Sequence, residues 1–154
     1  MRRTAGLIGL CVSLAAVGIA AAQNDVVVKG GRYKGFTKQG HYIRFRVDST
    51  GDNIVKLAYK LVESCTNGIP NTNVFSMGSG SAAAIQEDEV TFKGTQHLVP
   101  SGNVKSGTVT LKGKFKSGNK ATGTIKDKVV FRKSDPHKRG TCKAQSKFTV
   151  HLKQ

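Results

Sequence analysis

The run from Gly107 to Lys133 reads GTVTLKGKFKSGNKATGTIKDKVVFRK, and its alternation leaves little freedom of fold. Val109, Leu111, Gly113 and Phe115 share one parity, while Thr110, Lys112, Lys114 and Lys116 share the other. Period two is the pattern of a β-strand with one face in a core and one in water. Ser117-Gly118-Asn119 then supplies turn residues, because Gly reaches positive φ freely and Asn tolerates it. The return places Ala121, Gly123, Ile125, Val129 and Phe131 on one side and Lys120, Thr122, Thr124, Lys126, Lys128 and Arg132 on the other. A three-residue turn predicts Phe115 opposite Ala121 and Lys116 opposite Lys120. The expected product is a hairpin, apolar inside and cationic outside.

The rest of the chain repeats this grammar. Arg32 to Thr37, His41 to Val47 and Ile54 to Val62 read as strands, with Asp48 to Asn53 as the turn between the second and third. Val55, Leu57, Tyr59 and Leu61 are expected inward, with Lys56 and Lys60 outward. Glu63 to Met77 reads as a loop, and 82–85 as a helical turn or a strand of small residues. Val90 and Phe92 open another strand, His97 to Gly102 reads as loop, and Thr141 to Leu152 closes the chain as a long strand. No segment keeps a helical period over three turns. The fold class is therefore all-β, an antiparallel sandwich or partly closed barrel with one disulfide.

The first 22 residues read as a targeting segment. Arg2 and Arg3 precede an apolar run from Leu7 to Ile19, and Ala20-Ala21-Ala22 follows. That is the layout of a secretory signal peptide, and the run is short for a membrane span of about 20 residues. An uncleaved anchor is the rival. Leu10 precedes Cys11 where a lipid-modified cysteine needs a small residue. Cleavage after Ala22 leaves residues 23–154 as one β domain.

Export fits the cysteines. Cys65 and Cys142 remain after cleavage, and an even pair in an oxidising compartment is most simply a disulfide. Both share parity with apolar neighbours, as a structural bridge requires.

Charge is uneven. Lys and Arg exceed Asp and Glu by 16, and removing Arg2 and Arg3 leaves 16 − 2 = 14. Gln23 to Phe92 holds eight basic and seven acidic residues, whereas Lys93 to Gln154 holds fifteen and two. Such asymmetry points to anionic partners. The candidate binding residues are Lys112, Lys114, Lys116, Lys120, Lys126 and Lys128. Their spacing lies inside a Debye length of about 8 Å, so they repel one another and a polyanion relieves the repulsion. An anionic cell-wall polymer or an anionic lipid surface suits an exported chain. Nucleic acid is disfavoured, because the outward side of this hairpin carries no interleaved aromatics for base stacking. The competing account is a solvated face whose lysines only prevent edge-to-edge association.

Other chemistry is poorly served. His41, His97, His137 and His151 stand at no metal-binding spacing, and two cysteines without such partners make a poor zinc site. No G-x-S-x-G elbow occurs. Glu87-Asp88-Glu89 lacks the calcium-loop pattern. Neither a cofactor nor a metal is expected. Glu63 has inward parity beside Cys65, to be met by an Arg or placed at the rim. The alternatives to a polyanion binder are a secreted inhibitor module, using Asn67 to Met77 as a rigid loop, and a hydrolase with a dispersed site.

Gly31-x-Tyr33-x-Gly35-x-Thr37-x-Gln39-Gly40, Cys65-Thr66-Asn67-Gly68, Gly113-Lys114-Phe115 with Ala121-Thr122-Gly123-Thr124, and Gly140-Thr141-Cys142 occur in that order. The set resembles a group of small secreted bacterial β domains that open with GxYxGxTxQG, carry Cys-x-x-Gly and end with Gly-Thr-Cys. The resemblance spans most of residues 23–154. It implies a secreted β domain with one disulfide, and it implies no activity.

Overall fold

The computed structural model describes residues 26–78, 80–95 and 103–154. The expected signal peptide and the expected loop from His97 to Gly102 lie outside the described residues. Nine strands are formed: β1 (Arg32–Thr37), β2 (Tyr42–Val47), β3 (Asn53–Cys65), β4 (Asn71–Ser76), β5 (Ala83–Gln86), β6 (Glu89–Thr95), β7 (Val104–Ser117), β8 (Lys120–Phe131) and β9 (Thr141–Leu152). All described pairings are antiparallel, in the order β2-β1-β9-β8-β7-β6-β5-β3-β4. Long β3 also pairs with β2 and β9, so one sheet curls back on itself into a ring, with β4 added along β3. Of the two architectures expected, the chain takes the partly closed barrel.

Alternation decides what faces the interior. Tyr33, Ile43, Phe45, Leu57, Val109, Leu111, Phe115, Ile125 and Val150 pack in the main core. Full burial of each large side chain contributes roughly 1.5–3 kcal/mol. Tyr33 stacks on Phe45 at 5.1 Å between ring centroids and meets Phe115 edge-on at 5.3 Å. Phe148 lies inward, 4 % exposed, over two facing glycines, Gly113 and Gly123. A Cβ on Gly123 would stand 2.6 Å from Phe148 Cζ and against the Lys112 carbonyl, so the ring occupies the space that missing side chains leave.

Several expectations need correction. Phe115 does face Ala121, but Lys120 pairs with Ser117, and a bulge leaves Lys116 without a cross-strand partner. The connection is thus Gly118-Asn119, and the predicted Lys116–Lys120 opposition is absent. A second irregularity, where Arg46 pairs with Lys56 and Val47 with Ile54, skips Val55. Ile54 is consequently buried and Val55 is only half-buried. The segment expected as a loop from Glu63 to Met77 is mostly strand. Its alternation was obscured because the inward residues of β4 are Asn73 and Phe75, one of them polar. Residues 83–86 form a strand, and Glu87 and Asp88 turn the chain with φ of 47° and 66°.

The sulfur bridge joins Cys65 to Cys142, which are directly paired across β3 and β9. It is compatible with an oxidising environment. Around it, the Cys-x-x-Gly turn docks on the Gly-Thr-Cys segment. Thr66 N donates to Thr141 O at 3.0 Å, Thr66 Oγ1 to Arg139 O at 2.9 Å and Asn67 Nδ2 to His137 O at 2.6 Å. Gln39, the penultimate residue of the opening run, performs a similar splice. Its amide donates to Val62 O and accepts from Val62 N, both at 2.9 Å, so a side chain stands in for a neighbouring strand. These motif residues act on the backbone of the fold.

Candidate functional site

The outward face of β6 to β9 is a lattice of lysine and threonine. One cross-strand row runs Lys147–Thr124–Lys112–Thr91, and the next runs Gln145–Lys126–Thr110–Lys93. Lysines therefore occupy alternate strands, displaced by one strand between rows. Neighbouring strands lie about 4.8 Å apart and diagonal neighbours about 7–8 Å. At about 8 Å, two unit charges in water repel by only about 0.5 kcal/mol before salt screening. The checkerboard thus tolerates its own charge density. The exception is Lys128, which stands directly opposite Lys143. Such like-charge pairs are unfavourable, and an anion placed between them relieves the strain.

All six lysines singled out from the sequence are exposed. Lys112, Lys126 and Lys128 lie within the lattice. Lys114 lies at its edge, where its ammonium is 3.1 Å from Glu89 Oε1. That contact is exposed on both sides, so it contributes little to stability and leaves Lys114 partly committed. Lys120 belongs to another row, Arg44–Lys34–His151–Lys120, which crosses β2, β1, β9 and β8. Lys116 is exposed at the bulge. Lys93, Lys143 and Lys147 were not singled out, although the alternation of β6 and β9 marks them outward. Strand order is what brings them beside β8 and β7, and no short-range pattern carries strand order.

Aromatics absent from the outward side of β7 and β8 appear on the outward side of β1 and β2. Phe36, 67 % exposed, pairs with Tyr42, 37 % exposed, on the outer side of β1 and β2. Phe36 also pairs with Thr149 of β9, so these rings join the same curved outer surface. The guanidinium of Arg44 sits 5.8 Å from the Tyr42 ring centroid.

The interior holds a second polar constellation, at the disulfide end of the barrel. Asp127 occupies an inward position of β8, the one charged residue breaking the apolar parity from Ala121 to Phe131. Its Oδ2 accepts from Tyr59 Oη at 2.9 Å and from Asn73 Nδ2 at 2.7 Å. Glu63, 1 % exposed, accepts from Asn71 Nδ2 at 2.6 Å through Oε2. Among the described residues its Oε1 has no hydrogen-bond partner. Burial, reinforced by the negative charge of Asp127 and opposed by the Asn71 hydrogen bond, pushes the Glu63 carboxyl up to about 7. The expected arginine approaches indirectly. Arg139 Nη1 donates to Asn71 Oδ1 at 3.2 Å, while its Nε and Nη2 clasp Asp135 at 3.1 and 2.8 Å. That clasp holds the Asp135 carboxyl down at about 2, and the guanidinium lies 3.8 Å above the Phe131 ring.

The interior pair was only half legible. Parity alone marks Glu63 as inward; Asp127 shares the inward parity of Ile125 and Val129, a signal masked by its charge and by the lysines on either side of it. Among the described residues, no group of three or more His, Cys, Asp or Glu is placed to hold a metal ion. No family model, curated protein or solved structure matches this chain.

Proposed function

We propose that this chain is an exported, non-enzymatic β domain that binds anionic polymers of the bacterial envelope or extracellular space through the outer face of β6 to β9. The observation that carries the reading is the checkerboard: exposed lysines on four adjoining strands, spaced by threonine and glutamine. Apart from Lys114, which meets Glu89, these ammonium groups point to solvent, and the intervening hydroxyls offer hydrogen bonds to the polymer's uncharged parts. Counterion release on neutralising several anionic groups supplies the affinity. A flexible chain fits better than a lipid surface, because the lattice curves around a barrel and its spacer residues are polar. The disulfide and the signal-like leader support export. The inhibitor alternative would act through Asn67 to Met77, a segment that is largely β4 and not a loop.

The test compares two sets of substitutions of equal charge. Lys112, Lys126, Lys128 and Lys147 are changed to Gln in one protein, and exposed Lys29, Lys56, Lys133 and Lys138 in another. Retention of the disulfide-bonded 23–154 chain on a polyphosphate matrix should fall sharply for the first set and little for the second. Equal losses would mean that net charge, and not this face, governs retention.

A further inference from the structure

We propose that the aromatic pair on β1 and β2, with the cations on either side of it, is a binding strip for single-stranded nucleic acid. The strip shares cations with the lysine–threonine face and rests on that face being an anion-binding surface. Phe36 and Tyr42 are direct cross-strand neighbours, and both rings reach solvent. An exposed phenylalanine contributes nothing to the core and costs solubility, so its placement between charges calls for a partner with an apolar planar group. Arg44 and Lys34, paired across the strands, flank the rings on one side. Lys38 and Lys147 flank them on the other, held together where Lys38 N donates to Lys147 O at 2.8 Å.

Phe36 stands between two shallow hollows. One is lined by Lys34, Gly35, Tyr42 and Arg44, the other by Lys38, Thr124, Lys147 and Thr149. A ring with a cationic hollow on each side is suited to a chain that alternates planar bases with phosphates. The bases stack on the rings and the phosphates settle in the hollows. Stacking of this kind is indifferent to base identity, and Arg adds cation–π attraction. The shape argues against other occupants. The cation rows run around the barrel, which a flexible strand can follow and a planar bilayer or stiff duplex cannot. The Phe36 ring, the more exposed of the two, lacks the hydrogen-bonding edge that an orienting sugar site would use.

The experiment measures binding of the disulfide-bonded 23–154 chain to labelled oligo-dT of about 12 nucleotides, a length within the usual range for one barrel. An abasic strand of equal length and a phosphatidylglycerol vesicle serve as competitors for the same protein. Oligo-dT should bind at least about fivefold more tightly than the abasic strand, the lower end of what one stacked base provides. Phe36→Ala and Phe36→Leu should both erase that difference while leaving abasic binding unchanged, and Phe36→Tyr should preserve it. Because Phe36 is largely exposed, these variants should keep the wild-type unfolding midpoint. Equal affinity for oligo-dT and the abasic strand would overturn the stacking proposal while leaving the lysine-face reading standing. Vesicle binding that depends on Phe36, without a base-dependent difference, would also overturn it. Failure to bind any of the three would overturn both readings.

Discussion

Replacing Glu63 by Gln should remove a fall in stability that accompanies rising pH between about 4.5 and 7. The carboxyl lies inside the barrel, its Oε2 held by Asn71 and its charge opposed by Asp127. An unfolded chain releases this proton near the ordinary value of 4.5, whereas the folded chain keeps it to about 7. Across that window the folded state binds the extra proton, so stability falls as pH rises, and the loss is complete above the upper value. At about 1.4 kcal/mol for each tenfold change in proton affinity, the gap amounts to about 3 kcal/mol. Gln has the shape and the neutral state of the protonated acid, and its carbonyl can still accept from Asn71. The variant should therefore match the wild type near pH 4.5 and exceed it by about 3 kcal/mol at pH 8. Urea unfolding of the disulfide-bonded 23–154 chain at several pH values measures both curves. Asp48 and Asp135 do not interfere, because each is held at about 2 by hydrogen bonds and contributes its own loss only at lower pH. Parallel wild-type and variant curves would refute the claim that Glu63 is the titrating group.

Reduction of Cys65–Cys142, which closes a separation of 77 residues, should lower unfolding stability by about 4 to 5 kcal/mol, measured by urea titration with and without reductant. Gly123→Ala should cost about 1–3 kcal/mol, since its Cβ would meet Phe148 and the Lys112 carbonyl; adding Phe148→Leu should recover less than it loses if backbone crowding dominates. Thermal unfolding of the single and double variants reads both effects. Gln39→Ala removes both hydrogen bonds to the Val62 backbone and should cost about 1–2 kcal/mol, with faster amide exchange at Val62 than in the wild type.

Local alternation made much of the barrel legible. The sides of β2, β8 and β9 follow directly from residues two apart, and Cys65 and Cys142 share their strands' inward parity. Legibility failed wherever the alternation was interrupted or polar on both faces. Bulges beside Lys116 and Val55 shift parity by one residue, and nothing at those positions resembles a glycine or proline signal. β4 escaped notice because Asn73 is polar yet inward, matched to Asp127 from a strand more than fifty residues away. The candidate surface divides in the same way. Lys112, Lys126 and Lys128 could be grouped from one hairpin, whereas Lys147 and Lys93 join them through the register of β9 on β8 and of β6 on β7. Phe36 and Tyr42 were visible as strand residues, but their neighbourhood depends on β1 pairing with β9.

The salt dependence of polyanion binding reaches the central claim most directly. Association of the 23–154 chain with long-chain polyphosphate is measured over a range of KCl concentrations, for the wild type and for the protein carrying Gln at positions 112, 126, 128 and 147. If those lysines contact the polymer, each should reduce the slope of log K against log salt by about 0.7, or by about 3 in all. Coincident slopes for the two proteins would contradict the assignment of the β6–β9 face.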